Sequence, residues 1–145
     1  MATATAQDTL NQLLAIVVPS LPSYLTYAKP WTPSTDERAM AALEQIVADQ
    51  RALAERITAA VLDSGGQPDQ GEYPMEFTDA HDLSLDYLLR QAVRYQKADI
   101  AAIQRCVDEL RDAPAARVLS DEALSMAKKH LAMLEELTSR KARGG

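Results

Sequence analysis

The sequence predicts an all-α protein: a four-helix bundle with a long crossover between its second and third helices. Three observations predict it. Two long windows, 34–64 and 81–112, contain neither Gly nor Pro. Within them apolar residues recur at spacings of three and four, the helical period, and do not alternate as in a strand. The intervals between windows are uneven, one long and two short, and that unevenness constrains topology.

The first helix carries Leu10, Leu13, Leu14, Val17, Leu21, Tyr24 and Leu25 on one stripe. Pro19 and Pro22 fall inside that stripe, and an interior proline removes a backbone hydrogen bond and clashes with the preceding turn. The expectation is a Pro-kinked helix, or two short ones restarted at Ser20.

The second helix presents Met40, Leu43, Val47, Leu53, Ala54, Ile57 and Val61. Ser34 with Glu37 three residues on forms a capping box, and Asp36 and Glu37 suit the positive end of the helix dipole. Gly65-Gly66 closes the helix with the residue type that tolerates a left-handed conformation. The third helix follows Asp79 or Asp82 as cap and carries Leu85, Leu88, Leu89, Ala92, Ile100, Ile103, Val107 and Leu110. The fourth starts at Pro114, a favoured residue of a first helical turn, and carries Ala116, Leu119, Ala123, Ala127, Leu131, Leu134 and Leu137. Residues 1–145 thus form a single domain, with 141–145 expected to fray.

Short links near Pro30 and Pro114 make antiparallel neighbours. Between the second and third helices lies the segment 65–81. At ~3.3 Å per residue it reaches up to ~55 Å, whereas a helix of about 29 residues is only ~44 Å long. It can therefore run the length of the bundle and bring the third helix back parallel to the second.

Composition excludes several functions. The formal charge of −6 lacks the basic footprint of a nucleic-acid binder. Cys106 is the single cysteine, which rules out an intramolecular disulfide or a thiolate metal cluster, and its place in the Ile103–Val107 stripe marks it as an inert buried thiol. The N-terminus has no basic signal-peptide region, and the apolar run Leu13–Val18 is far too short to span a bilayer. These features predict a cytoplasmic protein without membrane partners. Gly-rich phosphate loops, nucleophile elbows and zinc spacings are also missing.

Several stretches carry a resemblance: Leu21-Pro22-Ser23-Tyr24-Leu25 through Pro30-Trp31, Leu62-Asp63-Ser64-Gly65-Gly66, and Tyr73-Pro74-Met75-Glu76-Phe77. With the short–long–short connections, the chain resembles the ferritin-like superfamily, in particular uncharacterised bacterial ferritin-like proteins. The resemblance implies a bundle whose di-iron members place one Glu on each of two helices and Glu-x-x-His on each of the other two. This chain departs from that pattern. Thr78 precedes His81 by three residues, Ala127 precedes His130, and the first helix contains no Glu. The di-iron motif is largely missing.

Extending the core stripes places Gln50, Gln96 and His130 inward at one level, with Asp49 and Asp99 close enough to lean toward them. Such a layer is costly unless its members bond one another or water. It reads either as a hydrogen-bonded layer that fixes helix register or as a site for one divalent metal ion or a small polar ligand. His81, between Asp79 and Asp82, reads as part of a solvated cap. Tyr24, Tyr27 and Trp31 gather at the end of the first helix, and Tyr73 and Phe77 in the crossover. They plug the bundle end or form an interface for self-association; the resemblance, to a superfamily whose bundles often dimerise, adds weight to the second.

The leading functional expectation is a non-catalytic interaction or scaffold module, homodimeric and without a cofactor. The alternative is a degenerate metal or small-ligand binder that uses the mid-bundle layer. An active di-iron oxidoreductase ranks last.

Overall fold

A computed structural model describes residues 2–28, 37–75, 77 and 85–144. Its helices are α1 (Ala2–Val17), α2 (Leu21–Ala28), α3 (Glu37–Asp63), α4 (Leu85–Glu109) and α5 (Pro114–Gly144). The first predicted helix is therefore two, restarted at Ser20. Val18 N–H still donates to Leu14 O at 3.0 Å, after which Pro19 can offer no donor. Ser20 Oγ accepts from Ser23 N–H at 3.2 Å and caps the new helix, so Pro22 falls in a first turn, where it costs no bond. α1 and α2 together occupy one rod, and the four-rod layout holds.

The other boundaries follow from capping chemistry. Gly66 N–H reaches Val61 O at 2.9 Å across Gly65, whose φ of 87° is the left-handed residue that ends α3. α5 runs from Pro114 through Gly144. Ser34 of the expected capping box, Asp36, the caps at Asp79 and Asp82, His81 and Trp31 lie outside the described residues.

Core contacts fix the topology. One apolar cluster joins Leu10, Leu13 and Leu14 to Leu53, Ile57 and Val61, to Ile103 and Leu110, and to Leu119, Ala123 and Ala127. The other joins Leu21 and Leu25 to Leu43 and Ile46, to Leu88, Leu89 and Ala92, and to Leu134 and Leu137. Early α3 thus shares a level with early α4, so these helices run parallel, while α1–α2 and α5 run the other way.

The crossover that this parallel pair requires is pinned to α1 and α2 along its course. Gln7 Nε2 donates to Ser64 O at 2.6 Å, Asn11 Nδ2 to Gln67 O at 3.0 Å, and Asp69 N–H to Asn11 Oδ1 at 2.9 Å. Gly71, with φ of 71°, passes so near Ala15 that a Cβ would sit 3.1 Å from the alanine methyl. Ser23 Oγ and Tyr73 OH then meet at 2.9 Å, and Phe77 enters the core.

Candidate functional site

The polar layer lies where the two apolar clusters meet. Gln50 follows Ile46 and Val47 on α3, Gln96 follows Ala92 on α4, and His130 lies between Ala127 and Leu134 on α5. All three are buried, His130 completely. The sequence stripes placed them correctly, and the structure supplies their partners.

Gln50 and Gln96 do not bond each other. Ser20 Oγ donates to Gln50 Oε1 at 2.8 Å, and Gln96 Nε2 donates to Ala127 O at 2.9 Å. The break between α1 and α2 explains the first bond, because it turns the Ser20 hydroxyl toward α3 while still capping α2. Ser20 was missed as a site residue; its signal was its place as the cap ahead of Leu21-Pro22.

His130 Nε2 lies 2.8 Å from Asp49 Oδ2. Burial pushes the Asp49 carboxyl up, but hydrogen bonds from His130 and Gln45 outweigh it and leave the group below its ordinary value. Burial likewise lowers the His130 imidazole, and the Asp49 bond only partly opposes it. The pair is therefore an ionised carboxylate and a neutral ring. A carboxylate can only accept, so Nε2 carries the proton and Nδ1 is a bare lone pair. That Nδ1 is buried and has no partner among the described residues.

Beside it is a small cavity of about 10 Å³, lined by Ile16, Val17, Gln50, Gln96, Asp99 and His130 among others. This is about the space one water requires. Asp99 reaches the cavity from α4, and burial pushes its carboxyl up to about 7. The structure thus brings Gln50, Gln96, Asp99 and His130 to one cavity, with Asp49 holding the histidine from behind.

The aromatic set has a different disposition. Phe77 is buried, with Tyr24 at 5.7 Å, Tyr73 at 6.2 Å and Tyr95 at 5.3 Å between ring centroids. Tyr24 and Tyr73 meet edge to face at 5.2 Å. These rings tie the crossover to α2 and α4, and Tyr73 remains 37% exposed. The Tyr27 side chain and Trp31 lie outside what is described. Cys106 is buried, and its thiol is pushed up to about 11 by burial and then by Glu109, as befits an inert group.

Four rods, one crossover and a mid-bundle polar layer define a ferritin-like bundle. The chain is similar to a bacterioferritin from Desulfovibrio desulfuricans, whose X-ray structure is described with a diiron site in different catalytic states. The TM-score is 0.78 at 17% identity, covering 98% of this chain and 82% of that one. No family model and no curated protein matches the sequence.

The donor set does not fit the two-metal pattern that the sequence resemblance implies. On α5 the Glu-x-x-His positions read Ala127-x-x-His130, on α3 Gln50 is followed three residues later by Leu53, and α1 offers the cavity Ile16 and Val17. Two cations need bridging carboxylates to balance their charge. Among the described residues, the only carboxylate lining the cavity is Asp99, which burial already favours in its neutral form. Among the described residues, no group of three or more His, Cys, Asp or Glu could hold a metal ion.

Proposed function

We propose that this chain is a ferritin-like bundle that has exchanged metal chemistry for structure and serves as a self-associating scaffold or interaction module. The supporting observation is the bonding of the mid-bundle layer. Ser20 donates to the Gln50 amide oxygen, the Gln96 amide donates to the Ala127 carbonyl, and Asp49 engages the outward nitrogen of His130. Side chains already committed to one another specify helix register instead of waiting for an ion. The module works in the cytoplasm as a homodimer; none of the described helices is long and apolar enough to cross a membrane. The exposed part of Tyr73 and the neighbouring Met75 are the apolar groups that the crossover offers to a second copy.

A second reading rests on one specific observation, the bare Nδ1 of His130 beside an atom-sized cavity that Asp99 shares. One imidazole nitrogen, one carboxylate and the Gln96 amide oxygen could hold a single divalent ion. Metal analysis of protein purified without chelator separates the two. The scaffold reading expects well under one Fe, Mn or Zn per chain. Stoichiometric metal that disappears in His130→Ala would establish the second reading instead. Sedimentation at micromolar concentration should show dimers, and a strict monomer would remove self-association from the proposal.

A further inference from the structure

Gln50 also lines a second concavity among the described residues, a trough of about 510 Å³. Its size falls in the range of small-molecule sites. The trough exists because α1 stops at Val17 and α2 restarts at Leu21, leaving a gap at Val18 and Ser23 that the crossover roofs with Gln70 and Tyr73. One face of α3 forms the floor and rim: Val47, Gln50, Arg51, Ala54, Glu55 and Thr58. Those positions follow the three-and-four spacing of a single helical stripe.

The trough has a distinctive charge arrangement. Arg51 and Glu55 stand one helical turn apart on its rim, with Cβ atoms roughly 6 Å apart. They do not pair with each other, and neither has an ion-pair partner among the described residues. Arg preceding Glu by four residues is the weaker order for such a pair, so the helix leaves both charges open. The same trough is lined by the apolar Val18, Val47 and Ala54 and by the hydroxyl-bearing Ser23, Thr58 and Tyr73.

We propose that this trough binds a small zwitterion with an aliphatic body, of the amino-acid or dipeptide class. Its carboxylate meets the Arg51 guanidinium, its ammonium meets Glu55, and its hydrocarbon covers Val18, Val47 and Ala54. Guanidinium–carboxylate pairing is directional and charge-assisted, so it orients the ligand along α3. A ligand carrying one charge satisfies one rim residue and leaves the other unmatched. The trough shares Gln50 with the His130 layer, but the two charges that would hold the ligand, Arg51 and Glu55, line the trough and not the cavity beside His130.

Titration calorimetry on the full chain tests this with L-leucine, 4-methylpentanoate (carboxylate only) and isoamylamine (ammonium only). L-leucine should bind saturably, and each single-charge analogue should bind at least about tenfold more weakly. Arg51→Ala and Glu55→Ala, both at exposed positions and checked for helicity, should each weaken leucine by about tenfold or more. No saturable heat with L-leucine at about 10 mM overturns the proposal. So does equal affinity for the three ligands, or leucine binding unchanged in both variants. Self-association lost in Arg51→Ala, without any leucine heat, would assign the trough to a second copy and overturn it too.

Discussion

The two apolar clusters and the polar layer between them are built on different terms. In the clusters, Leu14, Ile57 and Leu110 at one end and Leu25, Leu89 and Leu134 at the other are buried side chains that only need to fill volume. In the layer, each residue makes a bond to one particular partner at one particular height: Ser20 for Gln50, Ala127 O for Gln96, Asp49 for His130. Sliding one helix past another by a turn would leave the clusters apolar but orphan every group in the layer. Stability comes from the first kind of region and register from the second.

That contrast can be broken at either end. The largest loss should come from Leu134→Ala, which empties a fully buried site and should cost about 3–5 kcal/mol in urea denaturation. A cost below about 1 kcal/mol would mean that the cluster is loosely packed.

Next comes the pH response of the layer. The Asp99 carboxyl is raised from 3.8 to about 7 in the folded chain. Its contribution is therefore fully present below pH 3.8 and is lost as pH rises through about 7, a change of up to roughly 3–4 kcal/mol. His130 is lowered from 6.5, so its contribution is present above that pH and lost as pH falls through the folded value. Denaturation of Asp99→Asn across pH 5–8 should show no fall in stability toward pH 8, only the His130 rise out of acid. A wild-type profile that Asp99→Asn leaves unchanged would contradict this placement of Asp99.

Gln50→Leu should cost about 1–3 kcal/mol by depriving the Ser20 hydroxyl of its acceptor, and a cycle with Ser20→Ala should show coupling of about 1 kcal/mol. Zero coupling would separate the two residues. The smallest effect belongs to the half-exposed Arg56–Glu122 ion pair between α3 and α5, where Arg56→Ala should shift stability by no more than about 0.5 kcal/mol.

How much of this was legible in the sequence depends on the range of the interaction involved. The rods, their order and the layer of Gln50, Gln96 and His130 follow from local periodicity, because an inward position on a helix is set by its neighbours three and four residues away. Even the parallel return of α4 was legible, since it needed only the reach of the segment 65–81. The partners were not. Gln50 binds Ser20 across 30 residues of sequence and Asp49 binds His130 across 81, and periodicity gives a residue's height on a rod but not the rotamer that chooses its partner. The trough was missed for the same reason. It depends on where the break at Pro19 leaves space and on how the crossover roofs it, and both are tertiary outcomes.

The central claim is that His130 is a neutral, Asp49-bound ring in an internally bonded layer, in a bundle without two-metal chemistry. Nitrogen-15 NMR of the His130 ring, before and after anaerobic addition of ferrous ion, tests it most directly. The account predicts a protonated Nε2, an unprotonated Nδ1, and signals that ferrous ion leaves in place. Loss or large displacement of the Nδ1 signal at about two ferrous ions per chain, reversed by chelator, would contradict it.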